Sequence, residues 1–196
     1  MSHDPKRFDP QNVHRLDDPE RNRYLPVDAI LDAIGLTASG NVADVGAGNG
    51  YFALPIARRI GPAHKLFAVD ISQEMLGHLR EKLSAPDAPA NVVPLLGSDV
   101  ATNLPDATCA LVFMASVWHE FDDHSAVIAE AARILQPGGR IAILDWSPTG
   151  TRPPGPPQDH RIARSTVERM LTDGGWQVQK AADINDNVYL VVASRP

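Results

Sequence analysis

Cysteine is nearly absent from the sequence, and long apolar runs are absent altogether. Cys109 is the single thiol among 196 residues, so an intramolecular disulfide framework and a CxxC zinc or redox motif are excluded. A chain with one thiol suits a reducing compartment, and we predict a cytoplasmic location. No apolar run approaches the roughly 18 residues that a transmembrane helix requires, and the polar first residues do not resemble a secretory signal. The sequence therefore predicts no membrane association.

The sequence also lacks an excess of positive charge. Its 18 lysine and arginine residues are outnumbered by 24 aspartate and glutamate residues, and the formal net charge is −6. Broad affinity for nucleic acid requires clustered cations that neutralise phosphates, so we predict no nucleic-acid partner. No metal site is predicted either, because the spacing of His14, His119 and His160 is not one that metal ligands typically show.

Length and composition fit one folded domain. The chain is 43% hydrophobic and 21% charged, which is ordinary for a globular protein, and its length lies within the range of a single domain. We expect one domain over 1–196, in which residues 1–36 form a helical lid or packing segment and residues 37–196 form a Rossmann-like core. Apolar residues between Leu25 and Ile34 recur at helical spacing and predict a helix in the first part.

Short apolar runs alternate with helical patterns from about residue 41 onwards. Such alternation predicts parallel strands joined by crossover helices. A proline suggests that the third run is an edge strand, and the unbroken fourth run suggests a central strand that is buried on both faces. Two runs near the end predict an antiparallel hairpin. The sequence therefore predicts an α/β fold, three-layered and doubly wound, with a mostly parallel seven-stranded sheet. The predicted strands are 41–45, 65–70, 91–96, 110–115, 140–145, 176–178 and 188–192.

Three helices in this region have recognisable ends. Ser72 is placed to cap the first. The second covers about 125–135 and stops at a Pro-Gly-Gly sequence. For the third, the sequence from Ser165 to Glu168 is typical of a capping box, and two glycines follow its end.

The first predicted strand leads into a loop of alternating glycines. From Asp44 the sequence is Asp-Val-Gly-Ala-Gly-Asn-Gly, with glycine at 46, 48 and 50. Glycine permits a tight turn and lets a ligand approach the backbone, because it has no Cβ. The pattern is typical of a nucleotide-binding loop, although a simple strand-to-helix turn can have the same glycines.

Two more carboxylates follow the next strands. Asp70 ends the second strand, 20 residues beyond Gly50, where a carboxylate can accept hydrogen bonds from the hydroxyls of a ribose. Asp99 follows the third strand and stands beside Val100, where it could accept a hydrogen bond from the exocyclic amine of adenine. The alternatives are a helix cap for Asp70 and an ordinary turn residue for Asp99.

The order of these motifs resembles that of class I S-adenosylmethionine-dependent methyltransferases. The resemblance covers roughly residues 40–146 and includes the Leu-Gln-Pro-Gly-Gly-Arg sequence at 135–140. Within the class, the chain is most similar to the small-molecule branch that includes the quinone-biosynthesis methyltransferases.

The resemblance implies S-adenosylmethionine as the cofactor and assigns residues to it. Asp44 would lie near the methionine amino group, Asp70 at the ribose, and Asp99 at the adenine. The glycines would border the cofactor, and backbone atoms near Ala115 would complete the pocket. The residues assigned to the cofactor are Asp44, Gly46, Gly48, Gly50, Asp70, Ile71, Asp99, Val100 and Ala115.

Two other functions stay open at this point. The sequence from Gly48 to Ala53 formally satisfies the GxGxxA pattern of NAD(P)-dependent oxidoreductases. Asp44 argues against this interpretation, because its charge would lie close to the anionic pyrophosphate, and the bulky Tyr51 and Phe52 follow the last glycine at once. The other alternative is a non-catalytic module that binds S-adenosylmethionine and has a regulatory role.

The candidate catalytic residues follow the fourth strand. His119 is the predicted general base, and Glu120 is the group that we expect to orient it. A base is required only when the acceptor carries a proton that must leave. The alternative is a structural role for His119 at the strand end.

Four residues are assigned to the substrate or to a lid: Tyr24, Trp118, Asp145 and His160. For Tyr24 the alternative is a plain surface helix. The chain lacks the Asn/Asp-Pro-Pro-Tyr motif typical of amino-directed nucleic-acid and protein-glutamine methyltransferases, and it lacks the cysteines expected of arsenite methyltransferases. We therefore predict a small-molecule acceptor. The oligomeric state stays open, with a homodimer as one alternative.

Overall fold

The computed structural model describes residues 7–151 and 155–195. One seven-stranded sheet has the strand order β3-β2-β1-β4-β5-β7-β6. The strands are β1 (Val42–Val45), β2 (Leu66–Asp70), β3 (Val92–Leu96), β4 (Cys109–Ala115), β5 (Leu135–Trp146), β6 (Gln177–Asp183) and β7 (Val188–Ser194). The helices are α1 (Arg21–Tyr24), α2 (Val27–Ile34), α3 (Ala53–Ile60), α4 (Gln73–Leu83), α5 (His124–Ile134) and α6 (Arg164–Asp173), and 3₁₀ helices cover Pro10–Leu16, Trp118–Glu120 and Gln158–His160.

The sheet is parallel from β3 to β5 and antiparallel beyond. Parallel pairs join β3 to β2, β2 to β1, β1 to β4 and β4 to β5. β7 lies between β5 and β6 and is antiparallel to both. The predicted fold class is thus confirmed, including the terminal hairpin, the edge position of β3 and the central position of β4.

Alternate residues of β4 enter two separate cores. Leu111 and Phe113 pack in the core that contains the buried residues of α2, α3 and α4, whereas Val112 and Met114 pack in the core that contains those of α5 and α6. None of these four side chains is more than 3% exposed. Helices therefore cover both faces of the sheet, and this is why the sequence of β4 has no polar interruption.

The helix signals have mixed outcomes. The Ser72 cap is confirmed, because its Oγ accepts a hydrogen bond from the N–H of Met75 at 3.2 Å. The capping box at Ser165 is wrong: Ser165 lies inside α6, and the residue before the helix, Ala163, makes no side-chain cap bond. Glu168 instead pairs with Arg164, 3.3 Å away. The helix starts at Arg164, and this i,i+4 pair contributes modestly to its first turn.

Strand β5 begins earlier than the sequence indicates. Helix α5 ends at Ile134, and β5 starts at Leu135, which pairs with Cys109. The Pro-Gly-Gly sequence therefore lies within a strand with an irregular register, where we predicted only the end of a helix. Over residues 7–151 and 155–195, α4 and α5 are the longest helices with 11 residues each, and no helix has the length and hydropathy of a membrane span.

The turn after β1 leaves no room for a side chain at Gly46. This residue has a φ of +75°, and a Cβ built on it would lie 2.6 to 2.9 Å from three side-chain atoms of Val117. Gly138 has the same φ of +75°, but no heavy atom would lie within 4 Å of its Cβ. The two positions therefore share a left-handed φ and differ in the space around them.

We predict that Gly46→Ala destabilises the protein more than Gly138→Ala does. Left-handed backbone costs an alanine about 1–2 kcal/mol, and overlap with Val117 should add about 1–3 kcal/mol at Gly46 alone. Urea unfolding of both variants measures the difference. Adding Val117→Ala should recover part of the loss, since it removes both methyl groups but leaves the Cβ at 2.8 Å. Equal destabilisation of the two single variants would contradict the steric argument.

Candidate functional site

A cavity of about 590 Å³ lies at the carboxyl ends of β1, β2 and β4. Open α/β sheets bind ligands at this edge, and the volume is in the range of small-molecule sites. The glycine turn after β1 forms one wall. Parts of the N-terminal segment from Arg7 to Tyr24, and residues 155–157, also line the cavity.

Asp44 lines this cavity as a buried carboxylate with an unsatisfied oxygen. The residue is 2% exposed, and its Oδ2 has no hydrogen-bond partner among the described residues. Burial, together with the charge of Asp70, raises the pKa of Asp44 to about 7. An unpaired buried carboxylate is costly, and a cation or an N–H donor in the cavity would remove that cost.

Asp70 connects the glycine turn to α4 and also lines the cavity. Its Oδ2 accepts the N–H of Gly48, and its Oδ1 accepts the N–H of Ser72, both at 2.8 Å. Burial raises the pKa of Asp70, while these backbone N–H groups oppose the rise. Asp70 thus contributes to the start of α4, which is close to the helix-cap alternative that the sequence offered. Its binding of a ribose stays a prediction.

The other residues assigned to the cofactor divide into two groups. Those that line the cavity are Gly46, Gly48, Ile71, Asp99 and Ala115. Gly50 and Val100 do not belong to its lining.

Gly50 and Val100 have other surroundings. A Cβ on Gly50 would lie 2.6 Å from Cδ1 of Leu79, so Gly50 lets the glycine turn pack against α4 and does not face the cavity. Val100 is 45% exposed, and nothing in this geometry supports its assignment to adenine. Asp99 accepts a hydrogen bond from Nη2 of Arg7 at 2.7 Å.

His119 is held by Asp145, and this corrects the role that we expected for Glu120. The Nδ1 of His119 lies 2.8 Å from Oδ1 of Asp145, and the backbone N–H of His119 donates to Oδ2 at 2.8 Å. Glu120 Oε1 is 4.0 Å from the other ring nitrogen, Nε2. Asp145 comes from the end of β5, whereas Glu120 is a chain neighbour whose side chain turns into the cavity, so Asp145 is the orienting group.

The carboxylate of Asp145 makes the imidazole of His119 more basic than usual. Burial lowers the pKa of His119, but the neighbouring carboxylates of Asp145 and Glu120 outweigh burial and raise it above its usual value. Burial also raises the pKa of Glu120 to about 7. Because Asp145 occupies Nδ1, Nε2 is the nitrogen available on the cavity side, where His119 and Glu120 both form part of the wall.

Three residues assigned to the substrate or lid do not reach the cavity. Trp118 is fully buried and packs in the core beside Phe121 and His124, because the short 3₁₀ helix Trp118–Glu120 turns its two following residues, and not the tryptophan, toward the cavity. Asp145 is fully buried behind His119. His160 lies outside the lining. We therefore correct Trp118 to a core residue and Asp145 to the partner of the histidine.

Tyr24 does line the cavity, beside a tryptophan. The ring centres of Tyr24 and Trp146 are 5.8 Å apart, and both residues belong to the wall. A proline-rich loop, residues 147–157, follows β5. It contributes Pro156 and Pro157 to the same wall. The part of this loop at 152–154 lies outside the described residues.

The N-terminal segment, predicted as a helical lid or packing segment, contacts the site through specific hydrogen bonds that the sequence did not indicate. The N–H of Phe8 donates to Glu120 Oε1 at 3.2 Å. Asp17 accepts a hydrogen bond from Asn49 in the glycine turn and pairs with Lys82 of α4. Only Asp9 followed by Pro10, a helix-start signal, could have indicated local order.

No metal site emerges from the described side chains. Within 7–151 and 155–195, no group of three or more His, Cys, Asp or Glu residues is arranged to hold a metal ion.

Comparison with known proteins gives a family match. Residues 43–143 match the family described as "Methyltransferase domain". This match begins at the strand before the glycine turn and ends within β5, so it covers the turn, Asp70, Asp99 and His119.

Curated relatives of the chain are named as methyltransferases. It is 33% identical over 122 residues to the ubiquinone/menaquinone biosynthesis C-methyltransferase UbiE of Geobacter sulfurreducens, covering 62% of this chain and 48% of the relative. It is 30% identical over 159 residues to the arsenite methyltransferase of Halobacterium salinarum, covering 76% of this chain and 40% of the relative. The chain spans about half the length of the first UbiE relatives that it matches.

Solved structures agree over nearly the whole chain. A SAM-dependent methyltransferase from Aquifex aeolicus is 29% identical, with a TM-score of 0.89 over 95% of this chain and 98% of the other. The glycopeptide N-methyltransferase MtfA, in complex with S-adenosylmethionine, is 20% identical, with a TM-score of 0.70 over 87% of this chain and 93% of the other. The second likeness shows the fold alone.

We predict that Asp145→Asn lowers the pKa of His119. The carboxylate stabilises the imidazolium, and without it the remaining carboxylate of Glu120 opposes the effect of burial less strongly, so the neutral form is favoured. NMR titration of the His119 ring should give a pKa above 6.5 in the wild type and a lower one in the variant. Glu120→Gln should shift it in the same direction, and Asp106→Asn, at an exposed ion pair elsewhere, should leave it unchanged. An unaltered titration in Asp145→Asn would refute the assignment.

Proposed function

The chain belongs to the methyltransferase domain family, and from this membership we propose that it transfers a methyl group from S-adenosylmethionine to a small-molecule acceptor. The observation that carries the proposal is the unsatisfied Oδ2 of buried Asp44 beside the glycine turn. A ligand with an ammonium group, such as the methionine part of this cofactor, would supply the missing donor.

The wall of the cavity fits this cofactor better than a dinucleotide. We infer that Asp44 holds the ammonium group, that Asp70 holds the ribose, and that Gly46 and Gly48 allow close approach of the ligand to the backbone. A pyrophosphate at the same turn would meet the carboxylate of Asp44, whose charge opposes an anion. This argument disfavours the oxidoreductase alternative.

The residues around His119 are suited to proton removal from an acceptor. S-adenosylmethionine supplies an already activated methyl group, so the protein has to bind, align and shield the reactants. In the neutral imidazole, Nδ1–H donates to Asp145, and Nε2 can accept the proton that the acceptor loses. Asp145 then stabilises the imidazolium. Glu120, close to Nε2, is a second group that can take up a proton, since its pKa is about 7.

The N-terminal residues are suited to exclude water. We propose that the chain is one domain in which residues up to 36 act as the lid and residues 37–196 form the core. Support comes from the contact of Phe8 with Glu120, the contact of Asp17 with Asn49, and the place of Tyr24 in the wall.

The size and charge of the site support a small acceptor. A cavity of about 590 Å³ that also takes the cofactor leaves limited room for the acceptor. With a net charge of −6, the chain is unsuited to broad nucleic-acid binding.

A cytoplasmic location stays a proposal that rests on the single cysteine, and a homodimer remains open.

Calorimetry with S-adenosylmethionine, S-adenosylhomocysteine and NADPH tests the cofactor. We expect micromolar binding of both sulfur ligands and none of NADPH. Asp70→Asn should weaken the sulfur ligands about tenfold or more, because a hydrogen bond to a charged group is lost. Asp106→Asn serves as the control. Binding of NADPH in place of the sulfur ligands would overturn the proposal. Release of S-adenosylhomocysteine with a small-molecule acceptor, reduced in His119→Gln at unchanged cofactor affinity, would separate an enzyme from a binding module.

Affinity for S-adenosylhomocysteine should rise with pH through the pKa of Asp44. That pKa is raised to about 7 in the free protein, so below it the carboxyl group is protonated and cannot pair with an ammonium group. Calorimetry between about pH 5.5 and about pH 7 should therefore show increasing affinity. In Asp44→Asn the affinity should be low and should change less with pH over this range than in the wild type, because Asp70 and Glu120, the other carboxyl groups of the cavity with a raised pKa, still titrate. A wild-type affinity that does not change with pH would contradict the role of Asp44.

A further inference from the structure

Arg21 is a cation in the cavity wall that forms no ion pair within 4.0 Å with any of the described residues. The arginines of the wall are Arg7, Arg15 and Arg21. Arg7 pairs with Asp99 at 2.7 Å, and Arg15 is exposed to solvent. Arg21 is half-buried, and Asp17, the carboxylate that acts on its charge, lies beyond ion-pair distance.

The guanidinium of Arg21 has donors to spare. Its side-chain hydrogen bond among the described residues runs from Nη1 to the carbonyl oxygen of Leu16 at 3.1 Å, and a guanidinium carries five N–H donors. Burial lowers the pKa of Arg21, which reflects the loss of hydration around a group that stays charged. A desolvated cation with free donors is suited to bind an anion.

The position of Arg21 is fixed before any ligand binds. Its Cζ lies 4.1 Å from the ring centre of Tyr51, a cation–π contact. The hydroxyl of Tyr51 donates to the carbonyl oxygen of Leu25 at 2.9 Å, so the ring under the guanidinium is itself held. The fork of donors is therefore ordered in advance, and this reduces the entropy cost of binding.

These contacts place Arg21 at the glycine-turn end of the cavity. Leu16, whose carbonyl accepts from Arg21, has its Cδ1 3.7 Å from the position of a Cβ on Gly48. Asp17, the next residue, accepts a hydrogen bond from Asn49 at 2.9 Å. The same turn follows Asp44, so an unmatched cation and an unmatched carboxylate belong to the same end of the cavity.

We propose that Arg21 binds the α-carboxylate of the cofactor's amino-acid part, while Asp44 binds its ammonium group. The inference rests on the proposed function and deepens it. An α-amino acid is a zwitterion, and a site that matches it needs one anionic and one cationic group. Guanidinium and carboxylate form charge-assisted hydrogen bonds that can be bidentate. An N-terminal residue thus becomes part of the cofactor site.

Two ligands that differ only in the amino-acid part provide the test. S-adenosylhomocysteine contains this part, whereas 5′-methylthioadenosine keeps the nucleoside and the thioether without it. By calorimetry, Arg21→Gln should weaken S-adenosylhomocysteine about 10- to 100-fold, the scale of a charged hydrogen bond, and leave 5′-methylthioadenosine unchanged. Arg21→Lys should fall between wild type and Arg21→Gln. The matched control is Arg23→Gln, since Arg23 lies on the same helix, outside the cavity wall, and pairs with Glu20.

Each other outcome overturns the inference in a distinguishable way. Equal affinity of the wild type and Arg21→Gln for S-adenosylhomocysteine removes the role of Arg21 and leaves the proposed function intact. Equal weakening of both ligands assigns Arg21 to the structure of the lid. Unchanged S-adenosylhomocysteine affinity with a raised KM for the acceptor assigns Arg21 to the acceptor. A wild type that binds neither S-adenosylmethionine nor S-adenosylhomocysteine overturns the proposed function as well.

Discussion

Burying a carboxylate without a hydrogen-bond donor or a cation beside it costs free energy, and Asp44 is buried in this way. The proposed affinity of the cavity for a cationic ligand depends on that cost. Asp44 is the third of the four residues of β1, which lies between β2 and β4, so the pairing of three strands prevents it from turning to solvent. The glycine turn that follows brings no donor to its Oδ2. Asp70 adds a second negative charge nearby. The free protein thus keeps an unfavourable group in place, and a cationic ligand gains the free energy that the chain alone cannot recover.

The sheet and the N-terminal segment contribute differently to the site. Asp145 lies near the end of β5, and His119 lies in the 3₁₀ helix that follows the adjacent parallel strand β4, so their spacing depends on the register between β4 and β5. By contrast, the N-terminal segment forms no strand. It contacts the rest of the site through hydrogen bonds of individual residues, such as Phe8 with Glu120 and Asp17 with Asn49. The groups proposed for proton transfer are therefore held by the sheet. Enclosure of the ligand depends on the N-terminal segment, which fewer hydrogen bonds hold in place.

The fold was largely predictable from the sequence because hydrophobic periodicity reports burial directly. β4 shows this best: its unbroken apolar run required two cores, and both exist. The carboxylates at the strand ends could be placed as well, since the topology brings those ends together. The predictions that were wrong concerned the direction in which single side chains point. Trp118 and His119 are neighbours in sequence, yet one enters the core and the other the cavity. The pairing of His119 with Asp145 spans 26 residues, and no local pattern distinguishes it from the closer Glu120.

β7 follows the other six strands in the chain but lies inside the sheet and not at its edge. It separates β5 from β6, although both precede it in the chain, and all seven of its residues are buried. Until residues 188–194 leave the ribosome, β5 presents an open edge, and β6 has no strand to pair with. Open edges are templates for pairing with other chains. A chain in which β7 has not yet paired therefore presents this edge for self-association, although every residue that lines the cavity precedes β7.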